Sequence, residues 1–197
     1  MLIKEIVDKI LEEQKETNAE ILEIFKTGSQ VLSSTNGDKD FVVVCKNYTK
    51  NRTKQIVNRD NINHDIIIID EKAMYSCLDF KDTSLVHKDV KFFNYFFEKN
   101  IRETVYGGIE IKWSMLEHKK EYIDYIKEKF NRVRLLNINN VWKIGKLFVH
   151  YYIVLNILKN NKVEITPQMK FDIELFYSRS PKSEPLIKET FLKMEYL

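Results

Sequence analysis

Lys26-Thr27-Gly28-Ser29, followed nine residues after the serine by Asp38-Lys39-Asp40-Phe41-Val42-Val43-Val44, is the stretch on which the reading of this chain turns. Ile21 to Lys26 is short, alternates in part and runs into Gly28-Ser29, so it reads as a strand ending in a turn. Glycine lets a backbone approach a phosphate closely. A serine at a helix start offers a hydroxyl and an unpaired N–H to the same group, and Gln30 to Ser34 would be the short helix that Ser29 opens. Asn36-Gly37 is a turn signal. Phe41 to Lys46 is a continuous apolar run of strand length, expected to be buried on both sides. Alternation puts Asp38 and Asp40 on one face at the head of that strand, with Lys39 on the other. Two carboxylates on one face can hold hard divalent cations.

Outward from this stretch the pattern is mixed. Ile3, Ile6, Val7, Ile10 and Leu11 recur at helical spacing and predict an amphipathic helix ending near Asn18. Asn47 to Asn63 is polar and reads as a helix or an exposed loop. His64-Asp65-Ile66-Ile67-Ile68-Ile69-Asp70 is the strongest strand signal, a β-branched run bounded by polar residues. Glu71 to Leu78 and Asp89 to Arg102 read as helices. Gly107-Gly108 reads as a turn, and Ile109 to Trp113 as a strand. From Leu116 the character changes, with helices expected over Leu116 to Arg134, Val141 to Lys159, Pro167 to Tyr177 and Pro185 to Tyr196. Thr166-Pro167 is the start signal of the third. The expected class is α+β: a small mixed sheet with helices over residues 1–115 and a helical subdomain over residues 116–197.

Composition narrows the possibilities. Hydrophobic residues make up 44% of the 197, enough for a packed core rather than a disordered chain. Lys plus Arg number 32 against 29 acids, a net charge of +3, so any basic surface must be local. The two cysteines, Cys45 and Cys77, have no metal-ligand spacing and form no disulfide framework; they read as reduced, buried thiols. The start of the chain is amphipathic and charged, unlike a signal peptide, and no apolar run is long enough to span a bilayer. A cytoplasmic protein without a membrane partner is the expectation.

An acid-x-acid pair alone means little, because charged residues are about a quarter of a typical chain. The conjunction carries the signal, and here Thr27 to Val44 resembles the nucleotidyltransferase superfamily related to DNA polymerase beta. That superfamily has a Gly-Ser signature, an Asp-x-Asp on the next strand and a third carboxylate on a neighbouring strand. The matching positions are Gly28, Ser29, Asp38, Asp40 and, for the third acid, Asp65. The size and helical C-terminal part are also similar to small stand-alone nucleotidyltransferases, including predicted ones from bacteriophages. Two departures are visible: Gln30-Val31-Leu32-Ser33 follows the Gly-Ser where the family often has a small or basic residue and a second glycine, and Gly37 rather than a serine precedes the acid pair. Neither removes a metal ligand.

The resemblance implies two-metal catalysis with Mg²⁺, for which Mn²⁺ could substitute, at Asp38, Asp40 and Asp65. An NTP such as ATP would be the donor, its β- and γ-phosphates held by Gly28 and Ser29. Asp65 begins a strand expected to be buried, where a charge is costly unless paired or bound to metal. Asp70 has odd separation from Asp65 and faces the other way, and His64 reads as a strand-edge residue. Lys143, Lys146 and His150 share one helical face by spacing and could neutralise a triphosphate, with Tyr151 or Tyr152 stacking on a base. Lys46 to Lys54 interleaves basic residues with Tyr48 and could grip a nucleic-acid backbone. RNA is therefore the favoured acceptor. A protein acceptor, as in toxin–antitoxin nucleotidyltransferases, a small molecule, and a non-catalytic nucleotide- or partner-binding module of the same fold are the alternatives.

Overall fold

The structure is a computed structural model, and it describes residues 3–27, 31, 39–59, 61–78, 102–114, 116–121, 123–124, 127, 145–162, 164–178 and 180–195. The fold is α+β and divides into two compact units, Met1–Lys112 and Trp113–Leu197.

In the first unit, helix α1 (Ile3–Glu13) is followed by strands β1 (Glu20–Thr27), β2 (Lys39–Lys46), β3 (Arg52–Arg59) and β4 (Ile62–Asp70), helix α2 (Glu71–Leu78) and strand β5 (Glu103–Gly107). The sheet order is β3-β4-β2-β1-β5. β2 and β4 run parallel, and the other pairings are antiparallel. The apolar stripe of α1, Ile6, Val7, Ile10 and Leu11, packs on one sheet face with Ile24, Phe41, Val43, Cys45, Tyr48, Ile66 and Ile68. Full burial of an aliphatic side chain contributes about 1.5–3 kcal/mol, so this layer holds α1 to the sheet.

α1 stops at Glu13, short of the expected end near Asn18. Lys15 adopts φ 60, its N–H donates to the Glu12 carbonyl at 2.9 Å, and the Glu16 N–H donates to the Leu11 carbonyl at 2.9 Å. These two bonds form a Schellman motif with lysine where glycine is usual.

The segment from Asn47 to Asn63, expected as a helix or an exposed loop, instead holds β3, paired antiparallel with β4 from Arg52↔Ile69 to Arg59↔Ile62. Its eight residues are mostly polar because β3 is a sheet edge, and Val57 alone packs against the α1 core. Asn61, at φ 61, makes the tight return into β4. The chain crosses from β2 to β3 through 47–51 and leaves a gap one strand wide, which β4 fills. Tyr48 anchors this crossing. Its ring is buried, its hydroxyl donates to Gln14 Oε1 at 2.7 Å and lies 2.7 Å from Thr53 Oγ1, and its N–H donates to Asp70 Oδ2 at 3.1 Å.

A second difference lies before Gly107. The strand there is β5, with Tyr106 paired to Ile24, while 109–113 is not a strand. Gly107 has φ +62, and a Cβ on it would sit 2.1 Å from the Leu22 carbonyl oxygen, so only glycine fits. The helices expected at Gln30–Ser34 and Asp89–Arg102 fall almost wholly outside the described residues, as does most of Leu116–Arg134.

The second unit contains α3 (Gly145–Asn160), α4 (Pro167–Tyr177), a 3-10 turn (Pro181–Ser183) and α5 (Glu184–Glu195). Thr166 caps α4 by accepting from the Met169 N–H at 3.2 Å, and Pro167 occupies the first turn. Ile153, Ile157, Met169, Ile173, Phe176 and Ile187 are buried in this unit.

Candidate active site

Three pairings assemble the candidate site. Thr27 of β1 is the register partner of Asp40 of β2, Asp40 is the partner of Asp65 of β4, and Asp65 is the partner of Ile56 of β3. Register partners point to the same side of a sheet. Thr27, Asp40, Asp65 and Ile56 therefore form one row across four strands, on the face opposite α1. Neighbouring strands lie about 4.8 Å apart, which brings the carboxylates of Asp40 and Asp65 side by side. Asp40 is half-buried, and the side chain of Asp65 is 22% exposed.

Each end of the row has its own chemistry. Thr27 is 1% exposed, and its hydroxyl has no hydrogen-bond partner among the described residues. Ile56 is 65% exposed, a large apolar side chain open to solvent beside an acid. Lys54, on the same face of β3, reaches Asp65 Oδ2 at 2.7 Å. The sequence marks none of these three as a neighbour of the acids. Thr27 stands inside the decisive stretch, but only the register sets it beside Asp40. Lys54 and Ile56 have meaning only once β3 is known to be a strand.

The other face receives the residues that alternation excludes from the site. His64 pairs with Lys39 and stacks on Phe41, with ring centroids 6.0 Å apart and planes inclined by 8°. Asp70 is buried, and its carboxylate accepts from the N–H groups of Tyr48 and of Lys72, the latter at 2.9 Å. It is thereby the N-terminal cap of α2.

Beside the row on β1 lies a buried polar network. Glu23 is 0% exposed. It accepts from Thr104 Oγ1 at 2.5 Å and from the Ile109 N–H at 3.4 Å, and it pairs with Arg102 Nη2 at 3.4 Å. Arg102 also donates to the Ile109 carbonyl at 3.2 Å and lies over the Phe25 ring, 5.2 Å from its centroid. Every partner of Glu23 is thus committed to β5 and its flanks, which marks the network as structural.

Gly28, Ser29, Asp38 and Lys143 lie outside the described residues. Lys146 and His150 are in α3. Tyr152, offered above as a stacking residue, is buried, and its hydroxyl donates to Asp172 of α4. Burial, and then that bond, hold the phenol well above its ordinary value. Such a side chain is packing material rather than an open platform for a base.

The donor set fits a hard divalent cation. Asp40 and Asp65 offer oxygen ligands at adjacent positions, and the Lys54 ammonium already rests against one of them. Among the described residues no group of three His, Cys, Asp or Glu side chains is gathered as a metal site.

No family model and no curated protein matches the sequence. A structural likeness exists to the nucleotidyltransferase-like protein from Exiguobacterium sibiricum 255-15, over 99% of this chain and 74% of that one, at 12% identity and a TM-score of 0.33. So distant a likeness carries no argument about chemistry. Among the described residues no helix is long and apolar enough to cross a membrane.

Proposed function

We propose that this protein is a Mg²⁺-dependent nucleotidyltransferase that moves an NMP group from an NTP to an acceptor hydroxyl. The observation that carries the reading is the direct register pairing of Asp40 with Asp65, on one face and only half-buried, with Asp40 directly opposite Thr27, which leads into Gly28-Ser29. Asp38, Asp40 and Asp65 would hold the divalent ions, which when bound supply Lewis-acid stabilisation of the transferring phosphoryl group. Gly28 and Ser29 would fix the donor's terminal phosphates through backbone N–H groups. The acceptor oxygen forms a bond to the α-phosphorus, and the bond from that phosphorus to the β-bridging oxygen breaks. Pyrophosphate leaves with the electron pair, and the acceptor proton passes to the Asp65 carboxylate.

RNA is the acceptor class we favour, because the end of β2, the loop after it and β3 carry Lys46, Lys50, Arg52 and Lys54 close to the acid row in sequence and sheet order. The Lys54–Asp65 ion pair also suits a second reading, a non-catalytic nucleotide-binding module in which a lysine stands in for the metal.

Incubation with Mg²⁺ and each of four α-phosphorus-labelled NTPs, with total RNA and cell extract as acceptors, separates these readings. Wild type should label RNA, and Asp40→Asn and Asp65→Asn should each lose nearly all transfer. Label on protein alone would reject the RNA acceptor. Nucleotide binding without any transfer would favour the binding module.

A further inference from the structure

We propose that Lys54 is the resident counter-ion of the acid row and is displaced from Asp65 when a divalent cation enters. This inference rests on the reading above, that Asp40 and Asp65 ligate the cation. Lys54 is the register partner of Ile67, which stands two residues beyond Asp65 on β4, so Lys54 and Asp65 are diagonal neighbours on one face. The flexible lysine stem closes the diagonal, bringing Nζ to 2.7 Å from Oδ2.

Asp40 and Asp65 lie side by side on adjacent strands, and like charges directly opposite each other destabilise a sheet. Lys54 offsets that repulsion and keeps the acids poised on one face while no metal is bound. The pair is also easily parted. The Lys54 side chain is 47% exposed, and an ion pair so open to water is weak and screened by salt. Lysine presents a compact, mobile charge without the bidentate fork by which arginine would grip a carboxylate. A divalent ion with direct oxygen bonds therefore replaces it, and the freed ammonium stays at the rim of the site.

Mn²⁺ titration of the intact chain, following free Mn²⁺ by its paramagnetic resonance at low ionic strength, tests the displacement. Lys54→Met should bind Mn²⁺ about two- to five-fold more tightly than wild type, with the gain shrinking as salt is added. Lys54→Arg should not tighten binding, and neither should Lys50→Met, which removes an exposed charge in the preceding loop. In wild type, Mg²⁺ should also shift the NMR resonance of the Lys54 ε-methylene, identified by its loss in Lys54→Met. Unchanged or weaker Mn²⁺ binding by Lys54→Met, or equal tightening by Lys50→Met, would overturn the counter-ion role. Asp40→Asn and Asp65→Asn report separately on the parent reading: if both bind Mn²⁺ like wild type, the metal site itself is wrong.

Discussion

Cys45 shows how much one residue's chemistry depends on where the strand carries it. It is buried in the α1-facing core, and burial first, then the nearby Asp70 and Glu16 carboxylates, push its thiol up to about 12 from 9.0. A raised folded value adds stability that is complete below the unfolded value and is lost as pH climbs through the folded one. Thermal melts should therefore show stability declining as pH rises above 9.0, and Cys45→Ala should flatten part of that decline. Glu16 works in the opposite sense. Its carboxylate accepts from Thr49 Oγ1 at 2.6 Å and from the Thr49 N–H at 3.1 Å, and the hydroxyl bond above all lowers it below 4.5. Its contribution is present above 4.5 and fades as pH falls through the lowered value, so Thr49→Val, less stable than wild type at neutral pH, should lose less stability than wild type does as pH falls below 4.5. At Glu23 the issue is the loss of a partner. Arg102→Met leaves a carboxylate with 0% exposure facing neutral donors alone, which should cost about 3 kcal/mol in urea unfolding.

At the scale of elements, the ends matter more than the middles. α1 is terminated by a left-handed lysine, a conformation costing an L-residue about 1 kcal/mol or more. Lys15→Gly should therefore raise the melting temperature, part of the gain being returned as added freedom of the unfolded chain. The opposite holds at the end of β5. Gly107→Ala must drive a methyl into the Leu22 carbonyl at positive φ, and should cost about 2 kcal/mol or more by denaturant unfolding. β3 carries the weakest local signal of the strands. Its apolar content is a single exposed Ile56 and the half-buried Val57, because an edge strand needs one inward contact and otherwise faces water. By contrast β2, β4 and α4 were legible, since a buried β-branched run and a Thr-Pro start each state their own structure locally.

For the whole molecule, the proposed cation site would couple folding to its ligand. A cation held by Asp40 and Asp65 would bind the folded chain and not the unfolded one, because only the sheet register brings the two together. Mg²⁺ at about a hundred times its dissociation constant should add about 2.7 kcal/mol and raise the melting temperature measurably. Asp40→Asn/Asp65→Asn should melt at the same temperature with and without Mg²⁺. That comparison needs no acceptor and no turnover.

The sequence by itself determined the α+β class, the strands β2 and β4, the start of α4, and the opposition of Asp65 to Asp70 across the sheet. All of these follow from periodicity, turn chemistry and propensity within a few residues. Tertiary structure alone decided that Asp40 and Asp65 are neighbours, that Thr27 closes their row with a buried hydroxyl, and that Lys54 reaches Asp65 from an edge strand. Strand order and register arise from the packing of α1 on one face and the closing of β4 between β2 and β3. Those are long-range choices, made by burial of side chains far apart in the chain, and no local pattern encodes them.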